Sequence, residues 1–352
     1  MNFRDKKLAD AAGKKIAKLA GKKKIRLMHV CGTHEDTITK FGIRGLLPEN
    51  LEVLSGPGCP VCVTPAKEID EAIKLAEGNV ITTFGDMLKV PGSRGCLSDA
   101  KADGCDVRVV YSISDSLKMA RSSKGEVTHI GIGFETTAPT TAAALLQGPP
   151  ENFSVLSCHR LVPPALEALL SSGEVKIGGF IQPGHVSTII GAKVYEPVSE
   201  KFKIPQVIAG FEPLDVLFGI ITLLEMLDKG ECGVKNEYSR VVHYEGNKKA
   251  QAAMGECFDI VDTKWRGFPK IPKSGLELNE KFEGFDARKK FNLKVKDSAD
   301  MPAGCRCADV LKGLIYPNEC PLFGKICKPD EPVGPCMVSA EGSCAIWYKY
   351  KR

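Results

Sequence analysis

The alternation of short apolar strands with helices constrains the fold of this 352-residue chain more than any other feature. HIGIGFETTAPTTAAALL resembles the later QVIAGFEPLDVLFGIITLL: in both, an apolar strand passes through Gly-Phe-Glu into a helical segment. NVITTFGDMLKVPG resembles KIGGFIQPGHVSTIIG, and a weaker third pair shares VLS, a turn and prolines, with the same order in both halves. Strands that alternate with helices form βαβ units and parallel sheets. The sequence therefore predicts an α/β fold with two related parallel-sheet domains.

The repeat also predicts where the domains begin and end. Residues 51–148 and 149–228 are predicted to form the two α/β domains, the second as a repeat of the first. Residues 1–50 contribute one helix and one strand that pack on the other domains. From about residue 229 to residue 352 the chain is charged, rich in Pro and Gly, and ends in a cysteine-rich segment. We expect this last part to form a separate C-terminal domain.

Composition and charge narrow the classes of function. A hydrophobic content of 43% and a net charge of +5 are typical of an ordinary globular protein. Basic residues cluster in the first 26 positions, but no series of aromatic residues accompanies them, so we expect no nucleic-acid binding. The longest apolar run, 216–227, is too short to span a bilayer, and the N-terminus lacks the apolar core of a signal peptide. We therefore expect a cytoplasmic protein without a membrane partner.

Polar and thiol-bearing motifs follow the predicted strands. In open α/β sheets, ligands bind beyond the carboxyl ends of the strands, so these loops are expected to converge on a cleft. The motifs are CGTH (31–34), GPGCPVC (56–62), FGDM (84–87), GFETTAP (133–139), PGH (183–185) and GFEP (210–213). Asp86, Glu135, His185 and Glu212 are the further polar candidates for this cleft, although each is also a plausible turn or helix-cap residue.

The strongest chemical signal is a cysteine quartet near the C-terminus. Fourteen cysteines in a reducing compartment favour metal binding or redox chemistry over a disulfide framework. Cysteine thiolates in fours bind iron–sulfur clusters or zinc, and the absence of paired CxxC spacing here favours a [4Fe–4S] cluster. The predicted ligands are Cys307, Cys320, Cys327 and Cys344. Cys305 and Cys336 are predicted to form a redox-active dithiol beside the cluster, although either is an alternative ligand.

Two further cysteine motifs precede the quartet. Cys59 and Cys62 form CPVC, whose thiols can form a disulfide or face a metal, and a predicted helix after them would lower a thiol pKa. Cys31 and His34 are separated by Gly and Thr at the end of a strand. This pair suits a metal site in which a soft thiolate binds low-valent iron, a cysteine nucleophile with its base, or only a turn. The sequence alone leaves these three interpretations open.

Taken together, the motifs resemble those of the HypD family, which takes part in the maturation of [NiFe] hydrogenases. The resemblance covers about residues 25–348 and includes HVCGTHE, SGPGCPVCVTP, FGDMLKVPGS, GFETTAPTTA, QPGHVSTIIG, AGFEPLDVL and GPCMVSAEGSCAIWY. It implies three α/β domains with a [4Fe–4S] cluster in the last one. It also implies a scaffold that builds the Fe(CN)₂CO unit of the hydrogenase, with possible thiol redox or cyanide-ligation activity. The implied partners are HypC, a small chaperone that shares the iron, and HypE, which is charged by HypF and supplies cyanide.

The resemblance also assigns roles to particular residues. Cys31 would bind the transient iron beside a cysteine of the partner, and His34 would assist. Cys59 and Cys62 would be the thiol pair of the central cleft, and Cys305 and Cys336 would relay electrons to them from the cluster. An iron–sulfur disulfide reductase that uses the CPVC dithiol, without iron in the cleft, is the alternative. A zinc-binding interaction module is a third hypothesis.

Overall fold

The computed structural model describes residues 2–350, and within this range the chain forms a mixed α/β protein. Its strands, in chain order, are β1 (Ile25–His29), β2 (Leu51–Ser55), β3 (Val80–Thr83), β4 (Val107–Val109), β5 (Val127–Gly133), β6 (Phe153–His159), β7 (Gly179–Pro183), β8 (Pro205–Ala209), β9 (Gly233–Asn236), β10 (Phe258–Lys264) and β11 (Lys270–Leu278). The predicted strand IRLMHV is β1, with one residue fewer at its end.

The helices alternate with these strands, as the sequence pattern predicts. They are α1 (Lys6–Ala20), α2 (Gly32–Lys40), α3 (Pro60–Val63), α4 (Ala66–Ala76), α5 (Leu97–Ala102), α6 (Ile113–Ser122), α7 (Ala138–Leu146), α8 (Val162–Ser172), α9 (Gly184–Ile190), α10 (Glu196–Phe202), α11 (Pro213–Lys229), α12 (Lys248–Cys257), α13 (Ala287–Lys290), α14 (Cys307–Leu311), α15 (Pro335–Val338) and α16 (Ser343–Lys349). None of the helices between residues 2 and 350 is both long and apolar enough to cross a membrane.

Two parallel sheets form the framework of the protein. The first sheet has the strand order β2-β1-β7-β8-β9, and the second has the order β4-β3-β5-β6. All pairings within both sheets are parallel. β5 and β6 are buried along their whole length, because helices cover parallel sheets on both faces. The predicted parallel-sheet architecture is confirmed.

The division of the chain between the sheets differs from the predicted boundaries. β2, within 51–148, belongs to the first sheet, whereas β6, within 149–228, belongs to the second. β1 is an interior strand of the first sheet and not an accessory element, and β9 lies beyond residue 228. The second sheet is therefore formed by a segment inserted between β2 and β7. Sequence similarity between segments could not reveal this, because strand pairing depends on long-range packing.

The C-terminal part of the chain packs against both sheets. β10 and β11 form an antiparallel hairpin, and the bridge between Arg160 and Gly275 attaches this hairpin to the second sheet. Cys307, Cys336 and Cys344 share one buried core with Met28 at the first sheet and with many residues of the second. The cysteine-rich end therefore lies against the region where the two sheets meet.

Candidate functional site

A cavity of about 150 Å³ lies at the carboxyl ends of β1, β2, β5 and β7, and we call it the Cys31 cleft. Four of the predicted loop motifs converge there, and the C-terminal segment closes one side. The polar and small residues that line it include Cys31, Thr33, Gly58, Thr136, His185 and Glu341. The expected convergence of loops is thus observed for CGTH, GPGC, GFETT and PGH.

Cys31 is the N-cap residue of α2, and its thiol is half-buried. Burial raises the pKa of this thiol to about 11, while the backbone N–H groups of His34 and Thr33 oppose the rise. The negative charge of Glu341 raises the pKa further. The thiol is therefore protonated at neutral pH in the metal-free protein, but the amides of the first helical turn are positioned to stabilise a thiolate.

His34 does not line the cleft. It is fully buried, and its Nε2 donates to the carbonyl oxygen of Gly210 at 2.9 Å. Burial lowers the pKa of this imidazole to about 3, and the nearby His29 lowers it further. Its ring lies 5.0 Å from that of Phe211. His34 is thus a neutral residue that attaches α2 to the end of β8. Its backbone N–H, and not its imidazole, interacts with the Cys31 thiol.

Of the other polar candidates, His185 lines the cleft and Glu135 lies behind it. His185 is exposed and stacks on Phe211 with 4.0 Å between ring centroids. Glu135 is buried, and its Oε1 accepts a hydrogen bond from the backbone of Val162 at 2.9 Å. Its Oε2 is buried without a hydrogen-bond partner, and burial raises the pKa of the carboxyl to about 7. Glu135 therefore caps α8 and is largely protonated below neutral pH.

Asp86 and Glu212 lie outside the cleft. The Asp86 carboxylate accepts hydrogen bonds from Ser339 Oγ at 2.8 Å and from the Ala340 amide at 3.1 Å, so it holds the segment that carries Glu341. Glu212 forms a surface ion pair with Arg4, whose Nη2 lies 2.8 Å from Oε1. Asp86 is thus a positioning residue, whereas Glu212 has no contact with the cleft.

Cys59 and Cys62 form a disulfide beside the cleft. Cys59 is the N-cap of the short helix α3. The preceding Gly58 lies directly against the backbone nitrogen of Cys31, where a Cβ atom would not fit. Cys62 Sγ lies 3.9 Å from the carbonyl oxygen of Pro335, next to Cys336. The CPVC disulfide therefore lies between Cys31 and the C-terminal cysteines.

Six cysteines line a second, smaller cavity near the C-terminus, which we call the C-terminal cysteine site. Within it, one pair forms a disulfide, and this pair is Cys307 with Cys336 and not Cys305 with Cys336 as predicted. The six residues are Cys305, Cys307, Cys320, Cys327, Cys336 and Cys344. Cys307, and not Cys305, pairs with Cys336 because Cys307 begins the buried helix α14. This helix directs the Cys307 side chain toward α15, whereas Cys305 precedes the helix.

The remaining four thiols lie close enough together for electrostatic interaction between them. Burial raises the pKa of Cys305 to about 11, and the neighbouring Cys320 and Cys327 raise it further. The pKa of Cys344 also lies well above its ordinary value, because of burial and then of Cys305, Cys327 and Cys320. Gly334 leaves the space that the Cys305 sulfur occupies. Four unpaired thiols thus surround one apolar cavity, a donor set that suits an iron–sulfur cluster.

No group of three or more His, Cys, Asp or Glu side chains in residues 2–350 is arranged to hold a metal ion. At the cleft, Cys31 contributes one thiol, so an iron there requires ligands from outside this chain. At the C-terminal cysteine site, the cysteine sulfur atoms line a cavity and do not surround the position of a single metal ion.

Sequence reasoning missed Glu341 and Glu35. Glu341 lies far from CGTH in the sequence, but its backbone contacts Gly32 so closely that a Cβ on Gly32 would overlap it. Glu35 directly follows CGTH and is fully buried in a hydrogen-bond network. A signal was present for Glu35, since an acidic residue within the first helical turn after a cysteine motif is visible in HVCGTHE.

Comparison with known proteins agrees with the arrangement of these motifs. The family model HypD, described as the hydrogenase formation hypA family, matches residues 7–351. The chain is 51% identical to a putative hydrogenase expression/formation protein of Methanocaldococcus jannaschii, covering 100% of this chain and 99% of that one. It is 43% identical to the hydrogenase maturation factor HypD2 of Bradyrhizobium diazoefficiens (99% and 96% covered) and to HypD of Escherichia coli (93% and 90% covered). The chain belongs to the HypD family of hydrogenase maturation factors.

Proposed function

We propose that this maturation factor is the scaffold on which the Fe(CN)₂CO unit of a [NiFe] hydrogenase is assembled. The observation that carries the proposal is the position of Cys31, whose thiol lies in an open cleft at the carboxyl ends of four strands. One thiol cannot complete the coordination of iron. A second protein that presents a cysteine, which the family resemblance implies to be HypC, would supply the missing ligand. HypE, charged by HypF, would then deliver cyanide to the same cleft.

Cys31 is suited to accept iron as a transient cargo. A soft thiolate favours low-valent iron, and metal binding displaces the thiol proton even when burial raises the pKa. The amides of Thr33 and His34 at the start of α2 stabilise the resulting negative charge. His185 at the cleft wall carries a ring N–H that can donate to a cyanide or carbonyl ligand. The Glu341 carboxyl can donate in the same way when it is protonated, and burial and the neighbouring Asp86 favour this form because they raise its pKa.

The resident cofactor in this proposal is a [4Fe–4S] cluster held by Cys305, Cys320, Cys327 and Cys344. When bound, such a cluster supplies single electrons at a low potential. The disulfide between Cys307 and Cys336 supports this ligand set, because it leaves the other four thiols of the cavity free. This set contains Cys305 in place of Cys307, which the sequence spacing predicts as a ligand.

The two disulfides support a redox role beside assembly. α3 of the CPVC motif packs against α15, which begins one residue before Cys336. Reduction of either disulfide takes two electrons and two protons and yields two thiols, and neighbouring dithiols can exchange by thiolate attack. The sulfur groups thus form a series from the C-terminal cysteine site to the cleft. The series begins with the Cys307–Cys336 disulfide, continues with the Cys59–Cys62 disulfide and ends at the Cys31 thiol. The ten cysteines left free fit a reducing compartment, the cytoplasm.

The same neighbouring disulfides favour one second function, an iron–sulfur disulfide reductase. In that case the CPVC disulfide would be the substrate-facing group and the cleft would take no iron. Infrared spectra of anaerobically purified protein with its partner distinguish the two functions, because cyanide and carbonyl bound to iron give bands that a disulfide reductase lacks.

A matched pair of variants tests the cluster assignment. Iron and acid-labile sulfide are measured in anaerobically purified Cys305→Ser and Cys307→Ser proteins, with the visible absorbance of the cluster as a second readout. Cys305→Ser should lose most of the iron and sulfide, and Cys307→Ser should retain them while losing the second disulfide. The opposite result would restore Cys307 as the ligand, and a colourless wild-type protein with one zinc per chain would refute the cluster.

A further inference from the structure

Glu35, on α2, lies at the centre of a buried hydrogen-bond network that reaches β1 and β2 of the first sheet. Its carboxylate accepts from His29 Nε2 at 2.6 Å, from Ser55 Oγ at 2.6 Å and from both terminal nitrogens of Arg44 at 2.8 Å. Thr39 Oγ1 also donates to it at 2.6 Å. Burial opposes the charge, but Arg44 and His29 hold the pKa of this carboxyl well below its ordinary value. Glu35 is therefore a fixed negative charge whose position is determined by several elements.

One further donor to Glu35 comes from the opposite end of the chain. Trp347 Nε1 donates to Glu35 Oε1 at 2.7 Å. The Trp347 ring is held by the Arg44 guanidinium, 5.1 Å from the ring centroid, and by Tyr316, whose ring lies 5.4 Å away. Trp347 thus connects α16 to α2 through a directional hydrogen bond, and its contacts with Arg44 and Tyr316 hold the indole ring in place.

Both ends of this connection lie one helical turn from a functional cysteine. Glu35 donates its backbone N–H to the carbonyl oxygen of Cys31 at 3.2 Å, so the carboxylate and the cleft thiol share the first turn of α2. Trp347 follows Cys344 by three residues on α16, and residues at this spacing lie on neighbouring positions of one helix face. A shift of Cys344 therefore moves Trp347, and a shift of Glu35 moves Cys31.

We propose that the Glu35–Trp347 hydrogen bond is a positioning link through which the state of the C-terminal cysteine site sets the accessibility of the Cys31 thiol. The link rests on the proposed function, since it connects the proposed cluster ligand Cys344 with the proposed iron ligand. In this arrangement neither residue touches the iron, and both act through the backbone of their helices. The link would make the cleft competent for iron only when the C-terminal cysteine site is correctly formed.

Trp347→Phe is the informative variant. It removes the N–H donor but keeps an aromatic ring against Arg44 and Tyr316, and Glu35 retains its other donors. Trp265→Phe is the matched control for the loss of an indole N–H, because Trp265 Nε1 donates to Ser274 Oγ at 3.0 Å and not to Glu35. The phenyl ring of this variant can keep the contact of Trp265 with Phe134, which lines the Cys31 cleft.

The readout is the rate at which iodoacetamide alkylates Cys31 under anaerobic conditions, followed by mass spectrometry of the proteolytic peptide that contains Cys31, because other free cysteines such as the exposed Cys232 also react. The rate is compared between cluster-loaded and metal-free protein, and between metal-free protein with Cys344 and with Cys344→Ser. In the wild type and in Trp265→Phe we expect each ratio to differ from unity by about threefold or more, the size of coupling found between connected residues. In Trp347→Phe both ratios should approach unity.

Equal ratios in the wild type and in Trp347→Phe would overturn the link, as would ratios of unity in the wild type. The Cys344→Ser arm needs no cluster, so it still tests the link if the C-terminal cysteine site proves to bind no iron. Failure of the proposed function is seen separately, as a lack of iron and sulfide in the wild-type protein. Tryptophan fluorescence of the Trp265→Phe protein, which reports on Trp347, should shift with the same Cys344→Ser substitution.

Discussion

The Cys31 cleft and the C-terminal cysteine site both present thiols, but their surroundings differ. The cleft places one thiol among hydroxyl, imidazole and carboxyl groups at the ends of parallel strands. The C-terminal cysteine site places six sulfurs against Leu322, Phe323 and Met337, with hardly any polar surface. A cleft of about 150 Å³ that carries several polar groups suits a cargo that enters and leaves, whereas an apolar, thiol-rich cavity suits a resident group. This difference supports the proposal that the two sites carry out different sulfur chemistry, although residues of both pack in one core.

The largest expected effect is on stability, at Glu35, which connects the two regions through its hydrogen bond with Trp347. Glu35→Gln removes a buried charge that pairs with Arg44 and leaves that guanidinium without its partner. We expect the free energy of unfolding to fall by about 3–5 kcal/mol, the usual consequence of breaking a buried ion pair. Urea unfolding followed by circular dichroism measures the change. A loss below about 1 kcal/mol would show that the network contributes little to either region.

A pH-dependent effect is expected from Glu135 beside the cleft. Its pKa in the folded protein, about 7, lies above the ordinary value of 4.5, so the native state binds the proton more tightly than the unfolded state. This group therefore makes stability decrease as pH rises from 4.5 to 7, by up to about 3 kcal/mol. Glu135→Gln should remove that slope, measured as the difference between wild type and variant in urea unfolding at several pH values. If the free energies of unfolding of the two proteins changed with pH in parallel, the raised pKa of Glu135 would be contradicted.

Two glycine variants test whether the two regions can be disturbed independently. In Gly58→Ala the new methyl group overlaps the Cys31 backbone, and in Gly334→Ala it overlaps the Cys305 sulfur. We expect Gly58→Ala to lower cleft iron about tenfold with the cluster absorbance intact, the effect of a modest displacement energy of about 1.4 kcal/mol. Gly334→Ala should lower the cluster absorbance. Gly45→Ala, where no atom lies within 4 Å of the added methyl group, is the control. Equal loss of both signals in both variants would mean that the regions are not independent.

The smallest effect is expected at Glu212. Its ion pair with Arg4 is on the surface and lines neither cavity, and exposed pairs contribute little. Glu212→Gln should leave stability, cleft iron and cluster absorbance unchanged. A loss of cleft iron in this variant would restore Glu212 as a site residue.

The sequence predicted local features of the fold better than long-range ones. Apolar runs and turn motifs identified the strands, and the position of CGTH after β1 placed Cys31 at the correct sheet edge. The membership of β2 and β6 in their sheets depended on pairing between distant segments, which no local pattern contains. The partners of Cys307 and the burial of His34 likewise depend on how α14 and β8 pack. The sequence therefore identified the cysteine-rich segment, whereas packing determines which of the neighbouring cysteines Cys305 and Cys307 is paired with Cys336.

The most direct test of the separation between the two sites is the infrared spectrum of Cys31→Ala protein, purified anaerobically with its partner. The cyanide and carbonyl bands of cleft iron should disappear, while the visible absorbance of the C-terminal cluster remains at the wild-type level. Unchanged cyanide and carbonyl bands in this variant would contradict the assignment of Cys31 as the iron ligand.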